Sequence, residues 1–336
     1  MRVTVLGGGS WGTTVASLAA HNASTTLWCR DAATADDVNT HHVNRRYLDG
    51  YPLHPDLSAT TNLMSAAASC DVLVVGVPSH AFRSTLEAAA VSIRPWVPIV
   101  SLTKGLERDT RLRMTEVANQ VLPRHPAGAL TGPNLAKEIL AGDAAASVIA
   151  MADEVVAKAL QQVFTTGLFR VYINDDVIGC ELGGALKNVI AIASGMADGL
   201  GTGDNTRAAV ITRGLNELTQ LGMALGGQLT TFAGLAGMGD LLATCISGQS
   251  RNRHFGEQLG KGRTVADIAQ EMDQVAEGVK SAPVVLEMAR ERNISMPITG
   301  AVVNVVNGKQ SATDAYTGLL SRNLGREAVD LTAVNT

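Results

Sequence analysis

The run Arg2-Val3-Thr4-Val5-Leu6 stops at Gly7-Gly8-Gly9-Ser10-Trp11-Gly12, and a helical pattern opens at Ser10. Few folds accept a strand, a glycine turn and a helix in immediate succession. Gly7, Gly9 and Gly12 fall on the GxGxxG spacing: the first glycine permits the tight turn, the second lets backbone approach a pyrophosphate, and the third lets helix and strand pack closely. The helix start then offers unpaired N–H groups and the positive end of its dipole to phosphate oxygens. A glycine-rich turn in an α/β domain without a ligand uses the same letters, but the strand–turn–helix context favours a dinucleotide site.

The chain keeps this alternating texture as far as residue 174. Strands are expected at Arg2–Leu6, Thr25–Cys29, Asp71–Val77, Pro98–Leu102, Ala127–Leu130, Ser147–Met151 and Phe169–Tyr172, with helices such as Ser10–His21 and Ser79–Val91 between them. Strands alternating with helices of crossover length make a parallel, doubly wound sheet. From residue 175 on, Ala/Leu/Gly-rich helical spacing takes over. Leu182, Leu186, Val189, Ile190 and Ala193 trace one apolar helix face. A chain of 336 residues exceeds what one core usually serves. The expected organisation is a Rossmann-type α/β domain over 1–174 and an all-helical substrate-binding and dimerisation domain over 175–336.

Composition narrows the partners. A net charge of −4 with 17% charged residues gives no polyelectrolyte face, so nucleic acid is not an expected ligand. Cys29, Cys70, Cys180 and Cys245 form no CxxC pair, and the histidines form no HExxH pattern, which leaves a disulfide framework or a metal site unsupported. The N-terminus enters the first strand without the apolar segment of a signal peptide, and stretches such as Leu182–Leu200 are interrupted by Lys187 and Asp198. A cytoplasmic protein without an integral membrane segment is expected. The glycine-lined stretch Leu215–Leu225 favours a homodimer.

At the end of the second strand, Arg30 stands where an acidic residue often holds the adenosine ribose. A guanidinium there can receive a 2′-phosphate or stack on adenine, so NADPH is slightly favoured, while the adjacent Asp31 leaves NAD open. Three further clusters place polar groups among small residues. Lys104, in Ser101-Leu102-Thr103-Lys104-Gly105, lies just beyond a strand end, where α/β sheets bind ligands. Lys187, in Glu181-Leu182-Gly183-Gly184-Ala185-Leu186-Lys187-Asn188, shares a helix face with Gly183, Gly184 and Ala191. That spacing predicts a hollow in which a partly desolvated ammonium can give a proton to a carbonyl oxygen. Helix–helix packing through those glycines, with the lysine reaching water, fits the spacing equally well. In the third cluster Asp240 sits in Gly237-Met238-Gly239-Asp240, able to pair with a lysine, and Ser250, Arg251 and Asn252 follow at a helix start suited to phosphate oxygens. An ordinary capped helix with solvated arginines is the plain alternative.

Taken in order, GGGSWGTTVA, SLTKGLE, TGPNLAKEI, ELGGALKNVIAIASGMADGL, GDNTRAAVITRGLNE, AGMGDLLATC, SGQSRNRHFG and VAEGVKSA resemble the soluble NAD(P)-dependent sn-glycerol-3-phosphate dehydrogenase family of bacterial type, over nearly the whole chain. The resemblance implies that Ser10, Trp11 and Arg30 touch the cofactor and that Lys104 touches cofactor and substrate. It makes Lys187 the proton-transfer lysine and places Gly132 and Asn134 in a substrate-proximal loop, with Ala136 near the cofactor. Asp240, Ser250, Arg251 and Asn252 match substrate-binding positions, Arg251 also meeting cofactor, and Val275 and Glu277 lie against the cofactor. The family's loop more usually reads GPSFAKE, so Asn134 and Leu135 depart from it, which puts a hydroxyl contact there in question. The implied reaction is reduction of dihydroxyacetone phosphate to sn-glycerol 3-phosphate for phospholipid backbones, with Lys187, helped by Lys104, meeting the charge that grows on the carbonyl oxygen. A two-domain dehydrogenase of a hydroxy acid, sugar acid or ketopantoate would share the glycines but not need the phosphate grip around Arg251. A redox sensor without turnover would need no proton donor.

Overall fold

One sheet organises the first half of the computed structural model, which describes residues 1–272 and 276–321. Its strands are β1 (Arg2–Leu6), β2 (Ser24–Trp28), β3 (Ser58–Thr60), β4 (Val72–Val75), β5 (Ile99–Ser101), β6 (Ala127–Thr131), β7 (Ala145–Ala150) and β8 (Phe169–Asn174). They lie in the order β3-β2-β1-β4-β5-β6-β7-β8. Side chains alternate between two cores. Val3, Val5, Val72, Val74 and Val100 pack on one face with Val15, Ala16 and Ala19 of the helix Ser10–Ala20, while Leu6, Leu73, Val75 and Ile99 pack on the other with Phe82, Leu86 and Val117. A strand buried on both faces reads as an unbroken apolar run, which is why Val72-Leu73-Val74-Val75 is so plain in the sequence.

Two features depart from the expected parallel sheet. β6 and β7 pair antiparallel, with Leu130 opposite Ile149. A parallel neighbour requires a crossover that returns the chain to the starting edge. The helix between these strands, Ala136–Ala141, has 6 residues and so rises only about 9 Å. The chain therefore enters β7 from the edge at which it left β6. The other departure is β3, an additional edge strand of sequence Ser-Ala-Thr that pairs with β2 and has no apolar run to announce it. Asn39 holds it from outside: its Nδ2 donates to Ala59 O at 2.9 Å and its Oδ1 accepts from Ala59 N at 2.7 Å.

The chain divides into one compact unit over Met1–Glu181 and a second beginning at Leu182. The helix Val177–Gly199 starts in the first and continues in the second. Beyond it the described residues of the second unit form helices joined by turns, with no strand among them, chiefly Asp204–Ala224, Asp240–Ile246, Arg251–Gly260, Glu277–Arg290, Pro297–Val306 and Ala312–Leu320. Leu182, Leu186, Val189 and Ile190 are buried, as their spacing requires, but so are Ala185, Ala191, Ile192 and Ser194 on other faces. By length and hydropathy this helix, like the stretch Leu229–Ile246, could cross a membrane; 89% of its apolar window is instead buried inside the fold. A helix apolar all round is here a core helix.

Glycine is what lets the neighbours approach it. A Cβ on Gly195 would stand 1.9 Å from Arg253 O, one on Gly256 2.0 Å from Ile192 O, and one on Gly260 2.4 Å from Met196 O. Backbones meet directly where side chains are absent. Gly222, in the stretch expected to face a second subunit, meets a side chain instead: its Cβ position is 2.0 Å from Phe232 Cζ, so the ring fills that space from within. Further along, buried Glu217 takes hydrogen bonds from Ile298 N at 2.6 Å, Thr299 N at 3.0 Å and Thr299 Oγ1 at 2.9 Å, capping the helix Pro297–Val306. Burial pushes its carboxyl up to about 7, against the pull of those three bonds.

Candidate functional site

Two groups of side chains hold the candidate residues, one in each unit. In the first, Gly7 has φ +123°, a conformation open to glycine, and a Cβ there would be 2.7 Å from Gly76 O. Gly12 is closed to any side chain, its Cβ position lying 2.1 Å from Gly7 O. Gly9 differs: nothing among the described residues lies within 4 Å of its Cβ position. It precedes the helix Ser10–Ala20, which has no side-chain cap among the described residues. An open backbone at an uncapped helix start fits a dinucleotide pyrophosphate. Trp11 comes next, its Nε1 buried without a hydrogen-bond partner among the described residues and its ring edge-on to Phe169 at 6.3 Å.

Arg30 is exposed just past β2. Asp31 beside it is engaged as a helix cap, accepting from Ala33 N at 3.2 Å and Thr34 Oγ1 at 3.0 Å, with Arg46 at 3.5 Å. The Thr34 hydroxyl, then the Ala33 N–H, hold its carboxyl below the usual range. A carboxylate so occupied is poorly disposed to bind a ribose as well.

Lys104 reaches from the end of β5 to the loop after β6, where its Nζ donates to Gly132 O at 2.8 Å. Gly132 has φ +139°, and its Cβ position is 3.1 Å from Ser147 Cα, so the loop turns tightly against β7. Two residues on, both polar atoms of the Asn134 side chain are buried with no hydrogen-bond partner among the described residues. A buried amide left unmet is costly. The structure thus places a carboxamide, needing both an acceptor and a donor, where the usual family loop has a hydroxyl. Ala136 opens the short helix beyond this loop.

In the second unit the hollow expected around Lys187 is closed beside Gly183. The π-helical turn Leu235–Gly239 fills the space beside Gly183, whose Cβ position is 2.5 Å from Ala236 O. Nor does the lysine reach water. Its side chain is 7% exposed, and Nζ pairs with Asp240 Oδ1 and donates to Thr244 Oγ1 at 2.6 Å. Asp240 and Thr244 are one turn apart on the helix Asp240–Ile246, so both face the ammonium, and Thr244 Oγ1 in turn donates to Asp240 O at 2.7 Å. Each half of the sequence expectation is thus partly right: Gly183 serves close packing, and the lysine is desolvated. Thr244 is not among the residues that the sequence singles out, although its spacing from Asp240 signals a shared face.

Ser250 is the cap of the helix Arg251–Gly260, accepting from Arg253 N at 3.2 Å. Arg251 is exposed at the first turn of that helix. Asn252 is built into the protein: its Nδ2 donates to Asn188 Oδ1 at 3.0 Å and its Oδ1 accepts from Gly278 N at 2.9 Å. Asn188, the neighbour of Lys187, thus joins Asn252 to the candidate group, a link that spacing does not reveal. Glu277 joins the group, for burial raises its carboxyl while the positive charges of Arg251, Lys280 and Lys187 pull it down. Lys187, Asp240, Asn252, Arg251 and Glu277 are therefore brought together. Val275 lies outside the described residues.

Comparison with known proteins bears on both units. Residues 2–157 match the family model for the NAD-dependent glycerol-3-phosphate dehydrogenase N-terminus and residues 176–317 that for its C-terminus. A Sphingopyxis alaskensis protein named glycerol-3-phosphate dehydrogenase [NAD(P)+] 2 is 59% identical over 328 residues, 98% of each chain. A Mycobacterium avium protein named glycerol-3-phosphate dehydrogenase [NAD(P)+] is 53% identical over 97% of this chain and 96% of its own. The crystal structure of glycerol-3-phosphate dehydrogenase from Coxiella burnetii superposes with a TM-score of 0.90 at 37% identity, covering 96% of this chain and 99% of that one.

Proposed function

We propose a function from one premise: the chain belongs to the NAD-dependent glycerol-3-phosphate dehydrogenase family. On this reading it reduces dihydroxyacetone phosphate to sn-glycerol 3-phosphate, reversibly. The observation that carries it is the buried Lys187–Asp240–Thr244 group, an ammonium held by protein in a desolvated place where growing negative charge on a carbonyl oxygen is strongly stabilised.

When bound, the nicotinamide supplies the hydride that goes to the carbonyl carbon. The chain does the rest. Gly7, Gly9 and Gly12 with the start of the first helix receive the pyrophosphate, with Ser10, Trp11, Ala136, Val275 and Glu277 against the dinucleotide. Arg30 receives a 2′-phosphate, which gives NADPH a modest advantage. Lys187 donates a proton to the carbonyl oxygen and, in reverse, accepts it; Asp240 and Thr244 fix the direction of its N–H bonds. Lys104 adds positive charge beside Gly132, and the Asn134 amide offers a donor and an acceptor to substrate. Ser250, Arg251 and Asn252 hold the phosphate, with Arg251 also meeting cofactor. Arg251 has the fork for it; Asn252, with one N–H engaged by Asn188, keeps the other.

A first unit for the dinucleotide and a helical second unit for substrate and for a homodimer complete the reading, together with a cytoplasmic enzyme feeding glycerophospholipid synthesis. Absorbance at the reduced-nicotinamide band on adding dihydroxyacetone phosphate tests the activity. Consumption of NADPH or NADH with release of glycerol 3-phosphate is expected; oxidation with ketopantoate but not with the triose phosphate would overturn it.

A further inference from the structure

Between β2 and β3 the chain takes an irregular course: a short helix, Ala32–Asp36, a π-helical turn, Asp37–His41, a left-handed residue at His42 with φ 52°, and the turn Arg45–Leu48. Apolar Leu53 and Leu57 anchor the segment to the same core as Val15, Ala16 and Ala19 of the helix Ser10–Ala20. Its polar contacts run along one line on that helix. Thr13, Ser17 and His21 recur at four-residue spacing and so share a face. Thr13 Oγ1 accepts from Asn44 Nδ2 at 2.9 Å, Ser17 Oγ accepts from His54 N at 2.9 Å, and the His21 ring lies edge-on to His54 with centroids 4.3 Å apart.

Asn44 ends this seam at the glycine loop. It is fully buried, and the second hydrogen of its Nδ2 goes to the carbonyl of Gly8 at 3.0 Å. Its Oδ1 is also buried and meets no donor among the described residues. An apolar residue of similar size would avoid that unmet oxygen, so the asparagine is not there for packing. What the amide controls is the peptide between Gly8 and Gly9. A trans peptide is planar, with its C=O and N–H pointing in opposite directions. Tying the Gly8 oxygen to Asn44 therefore turns the Gly9 N–H away from the segment that holds it. Gly9 is the open glycine at the uncapped helix start, and neither it nor Gly8 has a side chain to resist rotation of that peptide.

We propose that Asn44 is a positioning residue for the dinucleotide: it fixes the Gly8–Gly9 peptide in the orientation that presents an N–H to the pyrophosphate. It acts through the loop and touches neither the substrate nor the reacting atoms. The inference rests on the dinucleotide reading of the glycine loop and extends it to a residue far from that loop in sequence.

The test uses Asn44→Ala and Asn44→Asp, titrated with ADP-ribose, which has the diphosphate, and adenosine, which lacks it. Unfolding midpoints and NADPH-dependent turnover are measured alongside. The expected result is about a tenfold loss of affinity for ADP-ribose and a matching rise in KM for NADPH. Adenosine binding and kcat at saturating cofactor stay within about twofold of the parent. Unchanged ADP-ribose affinity overturns the proposal, as does a parallel loss for adenosine or a fall in kcat with KM unaltered. Failure of both variants to fold overturns it too, since Asn44 would then serve the unit's stability. A parent protein that binds no ADP-ribose instead removes the dinucleotide reading itself, which separates the two failures.

Discussion

Glycine does opposite work at Gly9 in the first unit and along the packed helices of the second. In the first, nothing among the described residues lies within 4 Å of the Cβ position of Gly9, although Gly7 and Gly12 on either side close against backbone. In the second, Gly183, Gly195, Gly256, Gly260 and Gly278 all face protein, their Cβ positions 1.9 to 2.7 Å from a neighbouring carbonyl oxygen. The first arrangement leaves main chain open, as the proposed dinucleotide site needs; the second makes helices dense enough to bury the Lys187–Asp240 ion pair, on which the proposed chemistry rests. A backbone site is built from residues adjacent in sequence, even where, as at Gly8, a distant residue such as Asn44 bonds to it. A side-chain site such as Lys187 with Asp240 depends on a register between distant helices. The two should therefore fail differently when disturbed.

The largest effects are expected at the glycines themselves. Gly12→Val should abolish dinucleotide binding, because even the first carbon of the side chain meets Gly7 O. Gly9→Ala has room to fold with an unchanged midpoint, and its loss in a fluorescence titration with NADPH measures ligand approach alone. Gly195→Ala should behave the other way, losing about 1–3 kcal/mol or more to overpacking and several degrees of Tm, with NADPH affinity of the folded fraction unaltered. Equal Tm losses for Gly9→Ala and Gly195→Ala would erase the contrast between the units.

A smaller effect sharpens the first unit. Arg30→Ala should cost NADPH about 1.5–3 kcal/mol, as for hydrogen bonds to a charged group, and NADH much less. Equal losses in kcat/KM for both cofactors would assign Arg30 to stacking on adenine.

The smallest belongs to the second unit. The folded Glu217 carboxyl titrates near 7, above the ordinary value of 4.5, so the native state holds that proton more tightly than the unfolded chain. Its contribution to stability is full below about pH 4.5 and is lost as pH rises through about 7. Tm should fall by a few degrees across that window from this group. In Glu217→Gln that component of the slope should vanish; an identical slope would place the titration elsewhere.

These differences also decide what can be read from the sequence. The glycine loop, β1, β4 and the long helix are local patterns and stand out. β3 does not, because three small residues, two of them polar, on a sheet edge owe their place to Asn39 and to β2. The reversal of β7 is hidden since strand direction depends on the length of the connection. Lys187 draws notice through its small neighbours, yet beside Gly183 the hollow they predict is closed by a turn some fifty residues away. Ser250 reads as a phosphate ligand and is placed as a helix cap as well, the two uses looking alike in sequence. Asn188 and Asn44 give no signal, for nothing marks a lone asparagine until its partners are in place.

Lys187 tests the account most directly, since the proposed chemistry converges on its ammonium. Lys187→Met keeps the unbranched stem and removes the charge, and Asp240 would be left in a buried place without it, so folding should be checked by the unfolding midpoint. In NADPH oxidation driven by dihydroxyacetone phosphate, kcat should fall at least about a hundredfold while the Kd for NADPH stays near the parent value, because the lost interaction is strongest in the transition state. A folded Lys187→Met protein with near-parental kcat would contradict the account and move the proton transfer to Lys104.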